Sequence, residues 1–77
     1  ECHQVMKNLK EVLAAAEMTF GNVVKTTIYL SSMSLYSDVN RVYAEYFESD
    51  PPAREAVQVA GLPKGVNVEI SLMACAF

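Results

Sequence analysis

Arg54 is the residue of this chain whose side chain is best suited to holding a small acidic ligand. It begins a predicted strand whose other members are mostly apolar. A guanidinium group is planar and can hold a carboxylate through two parallel hydrogen bonds. The pattern alone favours a structural role instead, in which Arg54 pairs with Glu55, with Glu69 or with the backbone of a sheet edge.

Glu69 is the residue that could move protons. It lies between Val68 and Ile70 in the most apolar predicted strand. Burial disfavours the charged form of a carboxyl group, and a carboxyl group that titrates near neutral pH can serve as a general acid or base. The alternation of the strand by itself favours an exposed glutamate on the polar side.

The other residue types typical of catalysis are few. His3 is the only histidine and lies in a predicted helix, where a surface position is favoured over a catalytic one. Cys2 and Cys75 lack the CxxC or Cys/His spacing of a metal site. They predict two reduced, mostly buried thiols rather than a disulfide.

Two amphipathic helices are predicted, from Cys2 to Ala16 and from about Leu35 to Glu48, with Ser34 as the N-cap of the second. Asp50-Pro51-Pro52 ends the second helix, because proline lacks an amide N–H and disfavours helix before it. Apolar residues at spacings of three and four define the buried faces. They are Val5, Leu9, Val12, Leu13 and Ala16 on the first helix, and Val39, Val42, Tyr43, Tyr46 and Phe47 on the second.

Three strands are predicted, at Val23 to Leu30, Ala53 to Leu62 and Val66 to Ala76, with a turn at Pro63-Lys64-Gly65 between the last two. Side chains alternate between the faces of a strand. The predicted apolar faces are Val24, Ile28 and Leu30 with Thr26 on the first strand, and Val66, Val68, Ile70, Leu72 and Ala74 on the last.

The order α-β-α-β-β predicts one α+β domain over residues 1–77, with both helices on one sheet face. The other face still carries apolar residues and requires a partner. If the last two strands form a simple hairpin, Arg54 pairs near Met73 or Ala74, and Glu69 pairs near Gln58 or Val59. The two then lie roughly 16 Å apart along the ladder, too far for one small ligand to bridge within a subunit.

Composition excludes two classes of partner. The net charge is −3, and the six Lys and Arg residues form no basic run. Binding to nucleic acid depends on neutralising phosphates, so none is expected. No apolar stretch approaches the roughly 20 residues that span a bilayer. The chain begins at Glu1 rather than Met, so a targeting segment could precede it.

Residues 52–70 read PAREAVQVAGLPKGVNVEI and resemble the signature of the RidA/YjgF family, with its P-A-R opening, V-A-x-L-P-K centre and V-E-I close. The resemblance extends upstream. NVVKTTIYL at 22–30 is similar to the family's VVKTTVFL strand, and VNRVYAEYF at 39–47 to its VNxVYxxFF helix. It covers essentially the whole chain without gaps.

The resemblance implies a RidA-like, chorismate-mutase-like fold and a cytoplasmic homotrimer, or a mitochondrial one if a targeting segment precedes it. It also implies hydrolysis of 2-iminopropanoate and 2-iminobutanoate to 2-keto acids and ammonia at clefts between subunits, without metal or cofactor. Arg54 would bind the substrate carboxylate, Glu69 would position and deprotonate the water, and backbone groups near Ala56 would hold the imine nitrogen. Asn40 is a further candidate for ligand contact.

Two other functions stay open. One is a non-catalytic trimer that binds small carboxylates through Arg54 and regulates a partner. The other is the ribonuclease or translation-inhibitor activity ascribed to some relatives, which the acidic composition makes weakest.

The chain also departs from the family pattern. Glu55 stands where a small residue is usual, Ala56 where many members have Cys, and Glu17 where glycine is usual. The family's N-terminal strands, which help line its cleft, are absent from this sequence.

Overall fold

The computed structural model describes residues 1–47 and 51–76. The predicted α-β-α-β-β order is confirmed: helix α1 spans Cys2–Ala15 and helix α2 spans Tyr36–Ala44, while the strands are β1 (Val23–Leu30), β2 (Ala53–Gln58) and β3 (Val68–Ala74). Short 3₁₀ turns precede β1, α2 and β3. Within the described residues, no helix is long and apolar enough to cross a bilayer.

The three strands form one sheet in the order β2-β1-β3. β1 is central, paired parallel to β2 and antiparallel to β3. The hairpin of the last two strands assumed above is therefore wrong. The connection between them instead passes the end of β1, where Val59 donates to the Leu30 carbonyl at 2.9 Å and Ser31 donates to the Asn67 carbonyl at 3.0 Å.

The eight-residue β1, rich in β-branched side chains, has a partner on both edges.

The hydrophobic core lies between one face of this sheet and the two helices. On β1, Thr26, Ile28 and Leu30 are almost completely buried, and Val68 and Ile70 extend the same face on β3. The predicted alternation of β3 is confirmed, as Glu69, Ser71 and Met73 are exposed between these positions. The helices complete the core with Cys2, Met6, Leu13, Val39, Val42 and Tyr43.

Four predicted core positions are wrong. Ala16 is exposed just beyond the end of α1, and Val66 is 39% exposed because β3 begins only at Val68. Val12 is 66% exposed, because the buried stripe of α1 is centred on Met6 and Leu13. Val24 is 44% exposed, and Val23 is buried in its place. The pairing of β1 with β3 is irregular between Val23 and Lys25, and an extra residue of this kind shifts the alternation of side chains between faces. A pattern of apolar letters cannot reveal that shift.

The helix ends also differ from the prediction. α2 begins at Tyr36 after a 3₁₀ turn over Met33–Leu35, and Ser32 rather than Ser34 is the capping residue, since its hydroxyl accepts from the Ser34 N–H at 3.2 Å. α2 ends at Ala44. The predicted end at Glu48 and the Asp50 stop signal lie outside the described residues.

α1 ends in a left-handed residue. Glu17 has φ of +61°, Met18 donates to the Leu13 carbonyl at 2.8 Å, and Glu17 donates to the Ala14 carbonyl at 2.9 Å. This is the Schellman arrangement, in which glycine is the usual residue at the left-handed position. The glutamate therefore carries the conformational cost expected from its departure from the family pattern.

The two cysteines are both free thiols and lie in different environments. Cys2 is buried, and this burial raises the pKa of its thiol. Cys75 is exposed, so the prediction of two buried thiols holds only for Cys2.

A buried hydrogen bond joins β1 to α2: the hydroxyl groups of Thr26 and Tyr43 lie 2.7 Å apart. Thr26→Val keeps the shape of the side chain but leaves the Tyr43 hydroxyl without this partner. We expect unfolding to become easier by about 1–3 kcal/mol, the usual cost of an unsatisfied buried hydroxyl. Urea denaturation measures the change.

The matched control is Thr27→Val, at the next position of β1, on the opposite face and only half-buried. It should change stability by no more than about 0.5 kcal/mol. Equal effects of the two variants would show that the Thr26–Tyr43 bond does not stabilise the fold. Thr26→Val combined with Tyr43→Phe should recover part of the loss, because neither hydroxyl then remains unpaired.

Candidate functional site

Arg54 lies near the start of β2, opposite Thr26 of β1, with its side chain on the helix-covered side of the sheet. Its guanidinium donates from Nη1 to Oδ1 of Asn40 and from Nη2 to the hydroxyl of Tyr36 at 3.1 Å. The guanidinium carbon lies 5.2 Å from the centre of the Tyr43 ring, a distance typical of cation–π contact. Arg54 is thus oriented by three side chains and is still exposed.

All three of these side chains come from α2. Residues three and four apart share one face of a helix, so Tyr36, Asn40 and Tyr43 follow one another along the face that meets β2. In the core, the Tyr43 hydroxyl is held by its hydrogen bond to the Thr26 hydroxyl. Helix and strand together give the guanidinium a defined position.

The charge of Arg54 has no acidic neighbour in the described part of the chain. The ion pairs found there are Lys25–Glu55 at 3.2 Å and Arg41–Asp38 at 3.7 Å. Glu55 points to the opposite face of the sheet from Arg54, as expected for adjacent strand residues. Pairing of Arg54 with Glu55 or Glu69, the structural alternative, is therefore not what the fold contains.

Ala56 and Asn40 lie on the same side as Arg54. Ala56 is two residues further along β2, half-buried against the core. Asn40 is half-buried on α2. An open depression of about 410 Å³ adjoins the guanidinium, lined among the described residues by Tyr43, Ala44, Phe47, Pro51, Pro52 and Arg54. Three of the four predicted site residues thus share one side of the sheet, and Arg54 is the one of them that lines the depression.

Glu69 is not brought to them. It lies on β3, where it pairs with Tyr29 of β1. β2 and β3 flank opposite edges of β1, and the Glu69 side chain is on the opposite face of the sheet from Arg54. With strands about 4.8 Å apart and about 3.3 Å per residue, the two Cα atoms lie roughly 14 Å apart. Glu69 is also exposed rather than buried between its apolar neighbours.

The sheet face that carries Glu69 is not covered by either helix. We call this surface the open face. It mixes apolar and polar side chains: Val57 is 41% exposed and Met73 is 63% exposed, beside Glu69, Ser71 and the Lys25–Glu55 pair. The predicted uncovered apolar surface is therefore present on this side of the sheet.

His3 is exposed, with Nδ1 3.4 Å from the Tyr46 hydroxyl, in keeping with the predicted surface position. In residues 1–47 and 51–76, no group of three or more His, Cys, Asp or Glu side chains is placed to hold a metal ion.

Tyr36 is a contact of Arg54 that the sequence analysis missed. Its position four residues before Asn40 places both on one face of α2, and that spacing was the available signal. The predicted helix began near this residue, where side-chain direction is hard to assign.

Comparison with known proteins extends these observations. The family model described as Endoribonuclease L-PSP matches residues 1–76. The human 2-iminobutanoate/2-iminopropanoate deaminase is 49% identical over 74 residues, which is 96% of this chain and 54% of the relative. A RutC family protein of Pyrococcus horikoshii is 45% identical, again over 96% of this chain and over 59% of its own length.

Solved structures of similar proteins have the same fold as this chain. A protein of the conserved Rid family from Yersinia pestis superposes with a TM-score of 0.96 at 43% identity, covering 99% of this chain and 61% of that one. RidA from an Antarctic Psychrobacter superposes with a TM-score of 0.90 at 39% identity, covering 94% and 58%. The chain spans little more than half the length of the curated relatives it matches. By its sequence and its fold alike, this chain belongs to the Endoribonuclease L-PSP family, the family of the RidA proteins.

Proposed function

We propose that the chain hydrolyses small 2-imino acids to 2-keto acids and ammonia, acting as one RidA-like domain over residues 1–77 in the cytoplasm. The observation that carries this proposal is the guanidinium of Arg54. Asn40 and Tyr36 orient it, Tyr43 supports it, and it has no acidic partner among the described residues. Among the described residues, two of its five N–H groups are used by Asn40 and Tyr36, which leaves three for a carboxylate ligand.

The reaction needs little beyond orientation and one acid–base group. Water adds to the carbon of the protonated imine while Glu69 takes one of its protons, and the C=N π pair becomes the lone pair of the amino group of a neutral carbinolamine. Glu69 then returns that proton to the amino nitrogen. The C–N bond then breaks, ammonia leaves, and the remaining hydroxyl loses its proton to give the keto acid. Arg54 holds the carboxylate throughout, and backbone groups near Ala56 hold the nitrogen. No redox step or cofactor enters this scheme.

The site requires a neighbouring subunit. Arg54 and Glu69 lie on opposite faces and at opposite edges of the sheet, so a three-carbon acid cannot touch both within one chain. The open face, with Val57 and Met73 exposed, offers a surface on which subunits can associate. We infer a homotrimer in which Arg54 of one subunit and Glu69 of the next face a shared cleft.

The direct test is keto-acid release from an imine that an amino-acid dehydratase generates in the cuvette, followed by coupled reduction of the product. The chain should accelerate release above the spontaneous rate. Release at the spontaneous rate, with the oligomer shown to be intact by sedimentation, would contradict the proposal.

Sharing of the site is tested by mixing two inactive variants, Arg54→Ala and Glu69→Gln, under conditions that exchange subunits. In a mixed trimer, some clefts receive an intact Arg54 and an intact Glu69 from different chains, so turnover should return. The control is the same mixture before exchange, which should stay inactive. Absence of turnover after proven exchange would place both residues on one chain, and a monomer in solution would contradict the interface.

A second function is favoured by the separation of Glu69 from Arg54. A carboxylate-binding trimer that regulates a partner needs Arg54, Asn40 and Tyr36 but no acid–base group. In that case 2-oxobutanoate should bind and Arg54→Ala should abolish binding, while no keto acid is released from an imine.

A further inference from the structure

We propose that the hydroxyl of Tyr36 is a further substrate-binding group, which donates a hydrogen bond to the same carboxylate that Arg54 holds. This inference rests on the proposed function and adds a specificity-determining residue to it. It starts from the contact between Arg54 Nη2 and the Tyr36 hydroxyl at 3.1 Å.

The direction of that hydrogen bond is fixed by chemistry. A guanidinium has five donors and no acceptor, whereas a phenol hydroxyl has one donor and can also accept. Tyr36 must therefore accept from Arg54, and its own proton is left to donate elsewhere. Within residues 1–47 and 51–76, the hydroxyl makes no other hydrogen bond, and the residue is only half-buried.

Asn40, one helical turn after Tyr36, also accepts a hydrogen bond from Arg54 and keeps donors of its own. Its Oδ1 accepts from Arg54, which leaves its Nδ2 donors unused in the described structure. In the part of the chain that the structure describes, the uncommitted hydrogen atoms of Arg54 and its two hydrogen-bond partners make a cluster of donors: three N–H groups of Arg54, the O–H of Tyr36 and the amide of Asn40. A cluster that only donates suits a ligand that only accepts, and an ionised carboxylate has two oxygens with about four acceptor sites.

The geometry also makes Tyr36 a strong donor. An oxygen that accepts from a cation is polarised, and this strengthens the hydrogen bond that its own proton donates. If Arg54 holds a carboxylate through two parallel bonds, each carboxylate oxygen keeps one acceptor site free. A hydroxyl within 3.1 Å of the guanidinium is close enough to reach one of them.

No other tyrosine can take this role. The Tyr43 hydroxyl is bonded to Thr26 in the core, at 2.7 Å. The Tyr46 hydroxyl faces His3, at 3.4 Å. Tyr29 is paired with Glu69 in the sheet, on the opposite face from Arg54. Tyr36 is the tyrosine that combines contact with Arg54 and an uncommitted proton.

The test measures binding of 2-oxobutanoate and of its amide, 2-oxobutanamide, to the whole chain by NMR titration. Tyr36→Phe removes only the hydroxyl, and Tyr46→Phe is the matched control at the His3 contact. We expect Tyr36→Phe to raise the Kd for the acid roughly three- to tenfold, the range for one lost hydrogen bond, and to raise the Kd for the amide by less, because a neutral amide oxygen is a weaker acceptor than a carboxylate oxygen. Tyr46→Phe should change neither.

A second readout separates direct contact from a merely structural role. With tyrosine labelled at ¹³Cζ, the signal of Tyr36, assigned by its absence in Tyr36→Phe, should move saturably as 2-oxobutanoate is added. The signal of Tyr46 should stay in place. Unchanged affinity in Tyr36→Phe, equal weakening of acid and amide, or a Tyr36 signal that does not move at saturation would each overturn the inference.

Arg54→Ala distinguishes failure of this inference from failure of the proposed function. If Arg54→Ala loses binding of the acid while Tyr36→Phe keeps it, only the role of Tyr36 is overturned. If Arg54→Ala binds the acid as well as the parent chain does, the carboxylate clamp itself is wrong and both fall.

Discussion

The Arg54→Ala variant should lose imine turnover by roughly two to four orders of magnitude in kcat/KM, the range expected when two charge-assisted hydrogen bonds to a carboxylate are removed. Arg54→Lys should be severely impaired as well, because an ammonium group cannot reproduce the two-point contact or lie flat on the Tyr43 ring. Coupled detection of the keto acid measures both effects.

Folding and assembly should survive these changes. Arg54 is exposed, and its contacts to Asn40 and Tyr36 lie outside the core. The matched control is Arg41→Ala, another exposed arginine, whose carboxylate contact in the structure is Asp38 at 3.7 Å. Retained turnover in Arg54→Ala, or an equal loss in Arg41→Ala, would contradict the clamp.

The Glu69→Gln variant should lose turnover by about 10²–10⁴-fold in kcat, the usual contribution of a positioned acid–base group, while the Kd for 2-oxobutanoate stays within about twofold. Glutamine keeps the size of the side chain and its capacity for hydrogen bonds but cannot take a proton from water. Single-turnover kinetics measures the chemical step, and titration with the keto acid measures binding.

The control for this variant is Glu55→Gln, which removes a carboxylate from the same open face, at the opposite edge of the sheet and next to Lys25. It should retain turnover. Parallel loss of binding and turnover in Glu69→Gln would assign the residue a structural role at the interface. Unchanged turnover would remove it from the mechanism.

Local structure was predictable where a single physical preference dominated. The bounds of β1 are those predicted, because Asn22 precedes and Ser31 follows an unbroken run rich in β-branched residues. The alternation of β3 is confirmed for the same kind of reason: Val68 and Ile70 can be buried only if Glu69 points away. The aromatic side of α2 packs on the core as its spacing indicated, with Tyr43 almost fully buried.

The arrangement of strands was not predictable, because side-chain alternation says which face a residue takes but not which strand lies beside it. The sequence of β2 and β3 is compatible with a hairpin, yet backbone bonds from Val59 and Ser31 show the chain passing around the end of β1. The same limit applies to Val24, whose exposure follows from an irregular pairing with a strand about 50 residues away.

Within the candidate site, some placements were predictable from the sequence and others were not. Arg54, Asn40 and Ala56 gather on one side of the sheet, and the contact of Arg54 with α2 could not be read from β2 alone. Glu69 is isolated from them because β1 lies between its strand and β2. The catalytic role proposed for Glu69 therefore requires a neighbouring subunit.

The central position of β1 has a consequence for synthesis on the ribosome. Both strands that flank it come later in the chain, so VVKTTIYL emerges with two unpaired edges. At about 5–20 residues per second, translation from Leu30 to Ala74 takes about 2–9 s. Throughout that time a β-branched segment offers its free N–H and C=O groups to other nascent chains. That exposure ends only when β3 pairs with the second edge of β1.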